Sequence, residues 1–150
     1  MPYRSKTLAT WLALCLGAIG AHRWYLRGWR DALAWLFLLP SALGAVGVLR
    51  MRGLGPDDHL AWVLIPLLGL SVSAAMLQAI VIALTPDDRW DARHNPQHPV
   101  HATAWGPVLA AGLALLLGGG VLMATLAFGG QRWFEWLAEE PVPAATAPGG

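Results

Sequence analysis

Charge and cysteine are the scarce ingredients of this sequence. Only 13% of its 150 residues are Asp, Glu, Lys or Arg, about half of the roughly 25% usual in a soluble domain. So few charges leave too little polar surface for a water-soluble globule. Ten Lys and Arg against nine Asp and Glu give a net charge of +1, which lacks the cation excess of a nucleic-acid interface. A single cysteine, Cys15, excludes an internal disulfide. No nucleophile elbow, zinc-protease signature, phosphate loop or dinucleotide fingerprint occurs, so no enzyme and no cofactor is expected. What is present is apolar: 56% hydrophobic residues, with 17 Gly besides. This is the composition of a membrane protein.

The few charges are also unevenly spread. Residues 7–22, 32–49, 59–86 and 94–131 contain none. A bilayer core of roughly 30 Å needs about 20 helical residues at 1.5 Å each, and the last three runs are long enough alone. In the first, residues 8–21 give only about 21 Å of helix, so a crossing there requires continuation through residues 22–26. That places Arg23 at headgroup depth, with Trp24 and Tyr25 in an aromatic belt. A cleaved signal peptide, cut near Gly20, is the competing reading. Four spans are therefore expected. Pro40 and Pro66 should bend the second and third, with Ser41 satisfying the carbonyl that Pro40 frees. Gly118, Gly119 and Gly120 should permit close contact on the fourth.

Small residues recur every four positions: Ala9, Ala13, Gly17 and Ala21; Ala75, Ala79 and Ala83; Ala110, Ala114 and Gly118. Lipid is as apolar as leucine, so membrane helices associate by close contact over such stripes. The expected fold class is all-α, a polytopic membrane helical bundle of four transmembrane helices. Short interfacial helices should follow spans three and four. The divisions are residues 6–52 as a first helix pair, 53–130 as a second pair joined by an Asp/His-rich loop at 85–103, and 131–150 as an interfacial segment with a disordered tail.

Seven tryptophans, Trp24, Trp29, Trp62, Trp90, Trp105, Trp133 and Trp136, fall at apolar boundaries, the usual depth of an amphipathic ring. Thr85-Pro86-Asp87-Asp88 reads as a helix start with Thr85 as cap and Asp88 completing a capping box. A short surface helix follows, lying in the interface through Trp90. His94, His98 and His101 next to acidic residues are weak candidates for metal ligands. Pro96 and Pro99 keep them off one helical face, so a stiffened polar linker competes with that reading. Residues 132–140 have the pattern of an amphipathic foot, and 141–150 that of a disordered tail. With four spans, Arg4, Lys6, Arg50, Arg52 and Arg132 share one side and Arg23, Arg27, Arg30, Arg89 and Arg93 the other, so the positive-inside rule is tied.

Gly17, Gly20, His22, Arg23, Trp24, Tyr25, Leu26 and Gly28 lie in a segment that resembles the TM-two domain family, bacterial type, over about residues 6–52. The family pattern of a glycine-rich helix end followed by Gly-x-His-Arg-Phe-Tyr-Leu-Gly is met at Gly20, His22, Arg23, Tyr25 and Leu26. Trp24 replaces the usual Phe, and Arg27 stands between Leu26 and Gly28. The resemblance implies two membrane helices paired through a short loop. It implies a membrane interaction role and supplies no reaction, and it argues against cleavage within the matched segment.

The expected function is that of an integral membrane protein that contacts lipids or membrane partners through this basic, aromatic loop, with Arg23, Arg27 and Arg30 as lipid contacts. A homo-oligomer is a further expectation among its partners, nucleic acid is not, and the bacterial inner membrane is the expected location. A small transporter or channel subunit is the alternative. The interiors of the last three spans hold no ionisable group, and Gln78 is the most polar residue of the third, which counts against ion coupling. A metal-binding membrane protein built on the histidine-rich loop comes third.

Overall fold

The structure is a computed structural model and describes residues 3–139. All regular elements among the described residues are helical, as the sequence predicts. Helix α1 spans Lys6–Leu16 and leads through a 3₁₀ turn, Gly17–Ile19, into α2, Ala21–Arg27. The long helices are α3, Ala32–Leu54, α4, His59–Leu84, and α6, Gly106–Ala138, with the short α5, Asp87–His94, between the last two. At 23, 26 and 33 residues, α3, α4 and α6 are long and apolar enough to cross a membrane. The chain is a multi-pass membrane protein.

The core is built of small residues. Ala9 and Ala13 of α1, Ala75 and Ala79 of α4, and Ala110 and Ala114 of α6 are buried, whereas large residues such as Leu116, 73% exposed, face outward. This inverts a soluble core, as expected when leucine gains nothing by leaving lipid and close backbone approach supplies the attraction. Helix α4 is central, packing on α1, α3 and α6. A Cβ added at Gly118 would stand 2.5 Å from the Met76 Cβ, and one at Gly47 would stand 2.6 Å from the Leu64 Cβ. Added at Gly44 it would overlap Leu68. The three stripes read from the sequence face the interior, apart from the half-buried Ala21.

The expected first span is replaced by a hairpin. Lys6 at the start of α1 contacts Thr85 and Asp87 at the far end of α4, while Gly17 lies against Ala75, ten residues back along α4. The chain then reverses. Ser5 and Tyr25 are joined by a hydrogen bond of 3.0 Å, so α2 returns to the end from which α1 set out. Eleven residues of α1 reach about 16 Å, roughly half a bilayer core. The helix stops because Leu16 leaves helical geometry and Gly20 is left-handed, φ 83°, a conformation open to glycine and costly for other residues. Continuation to Leu26 would have required Gly20 to be an ordinary helical residue.

Four smaller expectations are also corrected. Helix α6 runs unbroken through residues 132–138, so no separate foot forms. No proline interrupts it after Pro107, and Glu135 is bonded within the helix by Gln131 and Arg132. Residues 140–150, where the tail was expected, lie outside the described residues. Thr85 caps the end of α4, donating its hydroxyl to the Val81 carbonyl, and Pro86 precedes α5 without a side-chain cap. Ser41 donates to the carbonyl of Ala18 at 2.6 Å, tying α3 to the hairpin turn instead of repairing the gap at Pro40. Finally, Trp62 and Trp90 are buried and are spent on internal contacts.

Candidate functional site

The residues of the basic, aromatic segment converge where α2, the start of α3 and the end of α4 meet α5. Gly20 permits this convergence: a Cβ there would stand 2.5 Å from the carbonyl oxygen of Ala34. His22, at the start of α2, is fully buried. Its Nε2 lies 2.5 Å from the Gln78 Oε1 of α4, so the imidazole N–H donates to the amide oxygen. Phe37 meets its ring edge-on at 5.8 Å. Arg23 donates through Nε to Asp31 at 2.9 Å, with its side chain 14% exposed. Burial would raise the Asp31 carboxyl, but Arg23 and the Leu33 N–H outweigh it and hold the group below its usual range.

Trp24 stacks on Trp29 with centroids 4.8 Å apart. The Tyr25 hydroxyl accepts from the Ser5 N–H, and its carbonyl accepts from Arg4 at 2.7 Å. Gly28 closes α2, donating its N–H to Trp24 at 2.8 Å. Leu26 and Arg27 continue into an open cavity of about 870 Å³ whose walls also include His22, Arg23, Gln78, Arg89 and Arg93. Arg30 is exposed and stands outside it. The loop therefore divides. Half of it braces the hairpin, and only Arg27 and Arg30 of its arginines are free of an ion pair among the described residues.

A second layer fixes α5 above this cavity. The Arg4 N–H donates to Asn95 Oδ1 at 2.8 Å, and the Arg4 carbonyl accepts from Trp90 Nε1 at 3.0 Å and Asn95 Nδ2 at 3.2 Å. Lys6 Nζ donates to the Thr85 carbonyl at 2.5 Å and to Asp87 at 2.8 Å. Thr103 donates to the same carboxylate through both its N–H and its hydroxyl. Burial alone would raise Asp87, yet the bonds from Lys6 and Thr103 prevail and bring it down to about 2. Asp91 is also lowered, first by the His101 N–H.

The three histidines do not share one set of contacts. His94 stacks on Trp90 at 4.1 Å, and burial pushes its imidazole below the ordinary range. His98 and His101 pack against the Tyr3 ring. Among the described residues no group of three or more His, Cys, Asp or Glu side chains is placed to hold a metal ion.

Sequence reasoning missed the Gln78 partner of His22, which stands 56 residues away. It also missed the contribution of α5. The spacing of Arg89 and Arg93, four apart on one helix, was the available signal, but nothing local links that helix to the first loop.

No curated protein and no solved structure matches the chain. Residues 2–50 match the family model of the TM2 domain; the match takes in the hairpin and α3 through Arg50, and α4, α5 and α6 lie beyond it.

Proposed function

We propose that this protein works by contact and not by catalysis. In this reading it crosses the membrane three times, with the TM2 hairpin as a half-depth insertion, and offers its N-terminal end to lipids or membrane partners. The observation that carries the reading is the return of α2 to the end that holds Ser5. With the hairpin folded back, Arg4, Lys6, Arg23, Arg27, Arg30, Arg89 and Arg93 share one side and Arg50, Arg52 and Arg132 the other. The five-to-five tie of a four-span arrangement becomes seven to three, and the positive-inside rule then assigns the N-terminal end to the cytoplasm. There the anionic inner leaflet attracts juxtamembrane cations, which supports a bacterial inner-membrane protein whose basic end meets acidic surfaces.

The transporter reading needs Gln78 free in the span, and its bond to His22 supports a bracing role instead. Topology mapping tests the proposal. Reporters placed at the N-terminus and after His98 should both report cytoplasm, and one after Gly53 the outside. A four-span chain would put the N-terminal reporter with Gly53 and overturn the proposal.

A further inference from the structure

The cavity between α2, the end of α4 and α5 has a charge pattern that the contact role does not yet use. Among the described residues Arg23, Arg27, Arg89 and Arg93 line it, and no carboxylate does. Only Arg23 has an ion-pair partner among the described residues, and its Nη2 is buried without a hydrogen bond. Arg27, Arg89 and Arg93 are exposed and form no ion pair among the described residues. Three cations aimed at one space repel one another unless an anion joins them. The cavity also has apolar lining: Leu77 and Val81 of α4 remain exposed there, on a helix long enough to cross a bilayer. An arginine-rich upper part continuous with a lipid-facing wall fits a ligand with an anionic head and a hydrocarbon tail.

We infer that this cavity binds the phosphate of an anionic phospholipid, with Arg27, Arg89 and Arg93 on the headgroup and the acyl chain along Leu77 and Val81. Guanidinium forks match phosphate oxygens through paired, charge-assisted hydrogen bonds. At about 870 Å³ the space is large enough for a headgroup and the start of a chain, since ligand sites run to roughly 300–1,000 Å³. Arg23 acts as a positioning residue, held by Asp31 at the base of the cavity. The inference rests on the contact role proposed above and gives it a ligand class.

The test uses purified full-length protein in neutral detergent, titrated with phosphatidylglycerol, phosphatidylcholine or inorganic phosphate, with binding read by native mass spectrometry and by thermal shift. Phosphatidylglycerol should bind at least about tenfold more tightly than phosphatidylcholine, the factor expected from one charge-assisted contact. Replacing Arg27, Arg89 and Arg93 together by alanine should erase that preference, while Arg52→Ala, at an exposed cation of the opposite end, should leave it intact. Equal affinity for the two lipids in the wild-type protein would overturn the inference, and this comparison holds even if the triple variant fails to fold. A preference that survives the triple replacement would overturn it as well. A full thermal shift with inorganic phosphate alone would remove the lipid from the assignment. Any of these failures with the expected topology would leave the contact role standing without this ligand.

Discussion

At the end of the bundle that holds the N-terminus, seven cations share space with Asp31, Asp87, Asp88 and Asp91; at the other end, three cations meet Asp57, Asp58, Glu135 and Glu139. Pairing differs in the same sense. Arg50 donates twice to Asp58, Arg132 pairs with Glu135, and His59 lies 2.9 Å from Glu139. Among the described residues only Arg52 of the arginines at that end forms no ion pair. Arg27, Arg30, Arg89 and Arg93 at the N-terminal end form no ion pair among the described residues. The small net charge thus conceals a polar axis: the described residues carry an excess of cations where the hairpin lies and an excess of carboxylates where α3 turns into α4. The construction differs too. One end is assembled from several separate segments, the other mainly from helix caps.

The largest effect should come from the residue that closes the assembled end. Gly20 is left-handed and faces the Ala34 carbonyl, so Gly20→Val combines backbone strain with a clash against main chain. A loss of ~3 kcal/mol or more is expected, seen as a large drop in the thermal midpoint of the detergent-solubilised protein. Gly55, at the other end, also has a positive φ, 99°, with extended ψ, but an added Cβ there meets nothing within 4 Å. Gly55→Ala should cost ~1 kcal/mol, from strain alone. Equal losses at the two glycines would show that the hairpin turn is not pressed against α3.

Acid should separate the two ends less sharply. Asp87 titrates at about 2 in the folded chain, below its ordinary value of 3.8. Its contribution is therefore complete above pH ~4 and is lost as the pH falls from ~4 to ~2. Unfolding followed across this window should show a steep fall in stability that Asp87→Asn flattens. Lys6, 9% exposed at its side chain, would be left buried without its carboxylate by that change, at a cost of ~2 kcal/mol near pH 7. Asp58 is likewise lowered, first by Arg50, but the Arg50 side chain is 38% exposed and keeps its hydration when the carboxylate is lost, so Asp58→Asn should cost less near pH 7 than Asp87→Asn does.

How far the sequence reveals this architecture depends on whether a feature is local. The three long helices are legible because a charge-free run of 18 residues or more has few alternatives, and the alanine stripes are legible because a spacing of four marks one helix face. The hairpin is not. A charge-free run of 16 residues looks the same whether it crosses or turns back, and its turn is settled by contacts with Ala34, Ser41 and Tyr25 that no short window contains. The α3 packing face was missed because Ser41, Gly44 and Gly47 repeat every three residues instead of four. Of the candidate site, the loop arginines were visible, but its other wall comes from α5. That helix reads as an isolated surface element until Trp90 and Asn95 are seen to bond Arg4.

The smallest effect concerns Gly118, Gly119 and Gly120, midway along α6, which mark the depth at which the assembled end stops. Gly118 lies against Met76, one residue from the Ala75 that meets Gly17 at the hairpin turn. Beyond this level α6 packs against α4, as where Gly69 meets Thr125 and Arg132 lies over Trp62. Gly119 and Gly120 meet nothing within 4 Å, so a methyl group there fills open space and relieves the helix of glycine's backbone freedom. Gly119→Ala and Gly120→Ala should be neutral or stabilising by up to ~1 kcal/mol each, whereas Gly118→Ala should destabilise through Met76. Thermal unfolding of the three single variants checks this. If all three glycines behaved alike, α6 would lack a change of partner at the hairpin's depth, and the contrast between the ends would reduce to charge alone.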